Sequence, residues 1–596
     1  MEQKRFLLAL VLSAAVLLVW QSYFAPEPPT DEANGDDAAE TQVDDDQDDG
    51  DQAEASDQEQ GGDGGEDDAT GEPDSDADDK GDSEESAEAD SDEENAEQNA
   101  AAREEGDDED VEQRDVEVRS DTLKSDRFTL ELTNKQAAVT SAKLTEPDQY
   151  EEAGDLVGFP DDAEKFPFET SFLHPDSAVP DEIVFEVVEE ESERRDEDDG
   201  YKKLVYRYDD PRDRFRIDKT FEIAEDRPYS IEMDLEVTNK MSQGTLVDRL
   251  ALDIYDWKDP DKETSMLDFR PNEVEGVCYN SEDLERETFD KVVDESFAFD
   301  AGNTKWGAVD TRYFMLGAIP LDGARSCEMD VVDDDYLRTR LIHEDMSVSA
   351  DSSKTYSHEL FVGPKDVDIL KEVGHNISES VDYGMFAFIA RPLRWGLSHL
   401  YDLVGNWGLA IILLTFIIRG SLTPINLKAY SSMERMKEVQ PLIKEVREKY
   451  EDDKQRQTEE TMKIFRENNV SPAGGCLPML LQMPILYGLF VMIYNSVELY
   501  EADFFLWYTN LAEPDPYYIL PILMGVVMFA QQRMSTVDQT NKQAAMMMKI
   551  MPVMFTAFML FLPSGLVLYY ALSLLIGVGQ QYWVRKKYRG DDEDDS

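Results

Sequence analysis

The sequence predicts an α-helical polytopic membrane protein, six transmembrane helices of which the last five form a core, carrying a large extracytoplasmic antiparallel β-sandwich. Three observations predict it. Apolar runs long enough to span a bilayer occupy residues 6–24 and then crowd into the last third of the chain. Residues 116–382 between them show apolar and polar residues alternating with period two. Finally, Lys and Arg cluster in alternate loops between the apolar runs, a positive-inside pattern in a chain with 56 basic and 132 acidic residues.

The run 6–24 is broken only by Ser13, Gln21 and Ser22. At about 1.5 Å per residue it reaches roughly 28 Å, enough to cross. Lys4 and Arg5 precede it, which holds the amino terminus in the cytoplasm. Tyr23-Phe24-Ala25-Pro26 is bulky where a cleavable signal needs small residues, so residues 1–25 are expected to stay as an anchor.

Residues 26–115 form an acidic linker. Its window 31–110 holds 38 Asp or Glu against Lys80 and Arg103 and has no aromatic residue, a local charge of −36. With nothing apolar to bury, the segment is expected to be disordered. The whole chain carries 56 − 132 = −76, which excludes nucleic acid as a partner and suggests a host living in high salt. Three cysteines and five histidines exclude a disulfide scaffold and any cysteine- or histidine-built metal module. No hydrolase elbow, metal motif or phosphate loop appears, and no cofactor is expected.

The exterior domain, residues 116–382, reads as strands. Tyr229, Ile231, Met233, Leu235 and Val237 alternate with polar residues, and Phe128/Leu130/Leu132, Phe215/Ile217 and Leu250/Leu252/Ile254 repeat the pattern. Asp209-Asp210-Pro211 and Asp226-Arg227-Pro228 mark turns between them. Cys278 and Cys327 face an oxidising compartment, where pairing and free thiols are equally open.

Residues 383–402 suggest an amphipathic helix lying in the outer interface. Pro392 sits in its first turn, Leu393, Leu397, Leu400, Tyr401 and Val404 form an apolar stripe, and Arg391, Arg394 and His399 lie off it. The five-helix core, residues 403–584, follows with apolar runs at 403–427, 477–497, 517–530, 551–562 and 566–584. Only Pro563-Ser564-Gly565 separates the last two, which reads as a tight hairpin of two short helices. The loop 428–466 holds ten Lys or Arg, and the next, 498–516, has five acids and no base. Both termini are therefore expected in the cytoplasm, including the tail 585–596, with residues 25 to about 400 outside.

Arg419 is the informative residue. It lies inside the run 403–427, with Thr415 one turn earlier on the same helix face. A buried intramembrane arginine costs several kcal/mol, of order 3 or more, unless it faces water or a partner. Gln482, Gln531, Gln532, Tyr569, Tyr570 and Ser573 supply uncharged polar groups for a wet recess around it. No intramembrane carboxylate is present, which argues against a proton-coupled transporter. Residues 433–470 read as a cytoplasmic helical hairpin: Pro441 opens a helix bearing Leu442, Ile443, Val446 and Tyr450, Glu451-Asp452-Asp453 turns it, and Met462 and Phe465 mark the return. A docking paddle and a self-packed coiled coil fit that pattern equally.

A resemblance now becomes specific. Val381-Asp382-Tyr383-Gly384, Gly405-Asn406-Trp407-Gly408, Thr415-Phe416-Ile417-Ile418-Arg419-Gly420, Asn469-Val470-Ser471-Pro472-Ala473-Gly474-Gly475-Cys476-Leu477-Pro478, Asp515-Pro516-Tyr517-Tyr518-Ile519-Leu520-Pro521 and Phe561-Leu562-Pro563-Ser564-Gly565-Leu566-Val567-Leu568-Tyr569-Tyr570 resemble the YidC/Oxa/Alb family of membrane protein insertases. The anchor and exterior domain are similar to its Gram-negative, six-span form. The acidic linker and the acidic end 591–596 depart from that form. The resemblance implies an inner-membrane insertase and chaperone, not an enzyme, with a hydrophilic groove open to cytoplasm and lipid and closed outside. It implies that Arg419 is the groove arginine, that Thr415 and Tyr570 contact substrate, and that the hairpin 425–472 engages targeting factors. The implied partners are nascent membrane proteins, the Sec translocon, the ribosome and signal-recognition factors, and membrane lipids. A glycan-binding or mutarotase-like exterior domain on a membrane anchor is the alternative, and the strands show no convincing His/Glu pair for it.

Overall fold

The computed structural model describes residues 116–594, apart from 161, 196–199, 260–272, 281–282, 300–301, 303, 469, 471–476 and 535–541. The expected anchor 1–25 and linker 26–115 therefore lie outside the described residues, as does the stretch 471–476 of one quoted motif.

Alternation builds the β-domain as expected. Strand Ser230–Asn239 buries Ile231, Met233, Leu235 and Val237 and turns Glu232 and Asp234 outward. It pairs antiparallel with Phe215–Ile223 on one side and Ser352–Pro364 on the other. These strands lie at the centre of a 13-stranded sheet that runs from Leu284–Thr288 at one edge to Ala138–Leu144 at the other. Among the described residues its single parallel ladder joins Ser120–Lys124 to Tyr201–Asp209. A five-stranded sheet, ordered Phe297–Phe299, Ser326–Val332, Tyr336–Ile342, Leu250–Trp257, Glu169–Phe172, packs across it. Close approach of the two sheets depends on Gly307, where a Cβ would fall 2.9 Å from Leu341 and 3.2 Å from Cys327 Sγ. Cys278 and Cys327 are joined as a disulfide that staples one sheet to the other.

Among the described residues the helices are α1 (Phe289–Asp294), α2 (Val367–Val373), α3 (Ala387–Val404), α4 (Trp407–Lys449), α5 (Lys454–Glu467), α6 (Leu477–Tyr494), α7 (Ile519–Met534), α8 (Lys542–Met559) and α9 (Ser564–Asp594). By length and composition, α4 alone of these is long and apolar enough to cross a membrane, while Leu480–Tyr494, Ile519–Met534 and Lys549–Met559 are shorter apolar helices. Gly405, left-handed at φ 65°, ends α3, and the Asn406 side chain caps α4 by accepting from the Leu409 amide at 3.0 Å.

Two expectations are corrected here. Pro441 does not open a helix: α4 continues unbroken from the apolar run through Pro424 and Pro441 to Lys449. Each proline forgoes one backbone bond, a loss that a helix already propagated on both sides tolerates. The hairpin's return helix is α5, capped by Asp453, and its seam is Val439, Ile443 and Val470 with Met436, Ile464 and Phe465, whereas Leu442 and Met462 face outward. The second correction concerns α3. Its Leu397 packs inward, but so does Arg394, expected on the polar face, while Phe388 and Trp395 are exposed. Arg394 is drawn in by acids from two other segments. It donates to Glu498 at 2.9 and 2.6 Å, and to Asp368 of α2 at 3.0 Å.

That ion-pair cluster joins the β-domain to the bundle. Asp366 caps α2 at the end of the last strand, accepting from the amides of Asp368 and Ile369. Burial, with Asp366 nearby, pushes the Glu498 carboxyl up to about 7 against the pull of Arg394. Beside this joint, Tyr313 and Phe314 of the β-domain meet Tyr500 at ring distances of 5.1 and 5.6 Å, and Arg312 sits 3.9 Å over the Tyr494 ring.

Candidate functional site

Helix α9 packs against α4 and α7, and the end of this bundle nearest the β-domain is tied shut. Pro563-Ser564-Gly565 works there as a helix start pinned on the loop before α7. Ser564 Oγ donates to the Asn510 carbonyl at 3.1 Å, and the amides of Ser564 and Gly565 donate to Glu513 and Leu511. Asp515, almost fully buried, gathers that loop by accepting from Trp507 Nε1, Tyr508 OH and the amides of Tyr517 and Leu520 at 2.8–3.2 Å.

Away from this closed end, the seam between α4 and α9 is polar. On α4, Thr415, Arg419, Thr423, Asn426 and Tyr430 recur at spacings of four and three, one face over about 22 Å. On α9, Tyr570, Ser573, Gly577 and Gln580 do the same. The two stripes meet where Gln580 Nε2 donates to Thr423 Oγ1 at 2.9 Å. Thr423 in turn donates to the Arg419 carbonyl at 2.7 Å. Gly577 lets other polar groups converge, since a Cβ there would lie 3.3 Å from Tyr430 OH and 3.4 Å from Gln531 Nε2.

Arg419 is only 8% exposed, and no ion pair to it occurs among the described residues. Its Nε, Asn426 Nδ2, Ser573 Oγ and Gln580 Oε1 are buried without a hydrogen-bond partner among the described residues. Four such orphans on two facing helices are what a seam needs if water or a polypeptide is to complete it.

Of the residues expected from sequence, Arg419, Thr415, Tyr569 and Tyr570 lie on these two helices. Gln482 of α6 reaches them by donating to Tyr569 OH at 2.9 Å. Gln531 of α7 converges on Gly577, and Gln532 is half-buried on the same helix. Thr415 is wholly buried and donates to the Ile411 carbonyl at 2.7 Å, which spends its proton inside its own helix. Ser573, also expected, lies on α9. Thr423, Asn426, Tyr430, Gly577 and Gln580 belong to the seam as well; the signal for the first three is the continuation of the α4 stripe past Arg419, where nearby charge hides it, and for the last two it is the continuation of the α9 stripe past Ser573.

Outward, α4 and α6 to α8 expose Phe416, Ile417, Leu480, Met483, Val526, Phe529, Val553 and Met554. So much exposed apolar surface around a polar seam defines an integral membrane protein, here one bearing a large β-domain. In the β-domain, His343 and His358 meet at 2.8 Å between ring nitrogens, but both are buried beyond the reach of any sugar.

Residues 121–396 match the family described as YidC periplasmic domain, and residues 399–592 match the 60Kd inner membrane protein family. Three curated relatives named membrane protein insertase YidC illustrate the likeness. That of Syntrophus aciditrophicus is 36% identical over 362 residues, covering 60% of this chain and 65% of that one. That of Vibrio atlanticus is 37% identical over 375 residues, 61% and 67% respectively. That of Pelobacter propionicus is 34% identical over 397 residues, 65% and 72%. In other relatives the matched stretch spans only about half of their length, 54 and 56%. The chain belongs to the YidC family of membrane protein insertases.

Proposed function

We propose that this protein inserts and folds nascent membrane proteins in the inner membrane, taking their polar flanks into the α4–α9 seam. The observation that carries this reading is Arg419, a charge 8% exposed in an apolar bundle with a free Nε. Such a group costs free energy in the resting protein, and the cost falls when an acidic or polar flank meets it. Seam polarity then lowers the barrier for moving that flank across. The short apolar stretch Lys549–Met559 adds to this by thinning the bilayer locally.

Gln482, Gln531, Gln532 and Tyr570 extend the seam for client contact, and the wholly buried Thr415 and Tyr569 back its wall. Six spans with both termini cytoplasmic and the β-domain periplasmic agree with the alternating loop charges and with the closed bundle end beside the β-domain. The hairpin 425–472 docks the ribosome and signal-recognition factors, a role supported by the outward Leu442 and Met462. The Sec translocon is a further partner for clients with large translocated segments.

Purified full-length protein in liposomes, with a small client bearing an acidic external tail, tests the reading through the protease-protected tail at low and high salt. Arg419→Lys should keep much of the activity, because a loose transient contact needs charge and not bidentate geometry. Arg419→Ala should lose most of it, and Arg419→Glu more. Equal insertion by wild type and Arg419→Ala would remove Arg419 from the mechanism, and no insertion by wild type would refute the function.

A further inference from the structure

The polar seam continues beyond Arg419, and its hydrogen-bonding groups there carry no charge. Thr423 has one hydroxyl proton and places it on the Arg419 carbonyl at 2.7 Å. The bond from Gln580, 2.9 Å long, must therefore be given by its amide N–H, which fixes the orientation of that side chain. Its Oε1 is left buried with no partner among the described residues. Asn426, one turn from Thr423 on the same face and 2% exposed, holds its Nδ2 equally unpartnered. Pro424, between them, leaves the Gly420 carbonyl without its usual helical amide. One free donor on α4, a turn from Thr423, and one free acceptor on α9, on the side chain bonded to Thr423, complement a peptide group, whose C=O accepts and whose N–H donates.

We infer that Asn426 and Gln580 form a peptide-group station: a second binding point in the seam that takes the backbone of a client segment regardless of its sequence. Arg419 selects for charge, whereas this station holds any unpaired main chain while it lacks helical hydrogen bonds. The Thr423 hydroxyl is its positioning group. The inference rests on the insertase reading, and goes beyond it by separating a sequence-independent contact from a charge-dependent one.

Two single-span clients test it in liposomes with the full chain, one with an acidic translocated flank and one with a flank of Ser, Gly and Asn only. Asn426→Leu and Gln580→Leu should each slow both clients by about tenfold, the scale of one lost buried hydrogen bond. Arg419→Ala should slow the acidic client more than the neutral one, whereas each leucine variant should slow the two equally. Should the leucine variants fail to fold, a benzophenone photocrosslinker at position 426 decides: crosslinks to the flanks of both clients support the station, and crosslinks to neither overturn it. Wild-type rates in both folded leucine variants, for either client, also overturn it while leaving the insertase reading intact. An inactive wild-type protein would refute both.

Discussion

Replacing Arg394 by Met should loosen the joint between the β-domain and the bundle, by an amount that depends on pH. Arg394 makes two bonds to Glu498, at 2.9 and 2.6 Å, and one to Asp368 at 3.0 Å. Removing one partner of a buried pair costs about 3–5 kcal/mol because the other charge is stranded. Burial and Asp366 already hold the Glu498 carboxyl at about 7, so near neutral pH it escapes by taking up a proton. The loss at pH 7 should therefore lie at the low end, about 3 kcal/mol. Glu498 titrates above its ordinary value, so its contribution to the folded joint is complete at acid pH and is lost as pH rises through about 7. Without the guanidinium its pKa climbs further and the loss continues to higher pH. The gap between variant and wild type should then widen above pH 7 by up to about 1.4 kcal/mol per unit. Hydrogen exchange of the amides of Val367–Val373 and Val497–Leu499, measured at several pH values, reads this local opening. Glu498→Gln in the same background should abolish the widening. A gap below about 1 kcal/mol, or one constant with pH, would refute the reasoning.

Cys278→Ser should cost the β-domain about 4 kcal/mol, from the entropy of a loop with sequence separation 49, read as a fall in its melting temperature that reductant reproduces in the wild type. Acidification should destabilise the same domain. Burial lowers His343 to about 4, so the folded state resists protonation between the ordinary 6.5 and 4, and stability complete above 6.5 falls by about 3 kcal/mol across that window. His343→Gln should reduce that acid-side loss in a melting series, leaving the part from His358, which burial also holds well below its ordinary value. Gly408→Ala places a Cβ inside the Phe504 ring and should free the loop before α7, raising its protease sensitivity; unchanged cleavage would show that the ring has room to move.

What sequence alone determined here is what short windows can encode. Period-two alternation from Tyr229 to Val237 built a strand because one face of a sheet must be dry, and Arg419 stood out because transfer of its charge into an apolar run is costly wherever the partners lie. The break between α3 and α4 at Gly405-Asn406 was not read, because it falls inside the apolar run 403–427. Partner choice was not legible. Arg394 read as a polar-face residue until Glu498, 104 positions away, was brought against it. Cys278 and Cys327 were an open pair until the two sheets packed. Gln580 meets Thr423 across 157 positions, and only that contact orients its amide and leaves the free oxygen. Periodicity and hydropathy are summed over one turn or one strand, so they report which face is buried. Which distant face it is buried against depends on the return path of the chain and on shape complementarity between whole elements, and only the assembled structure carries that information.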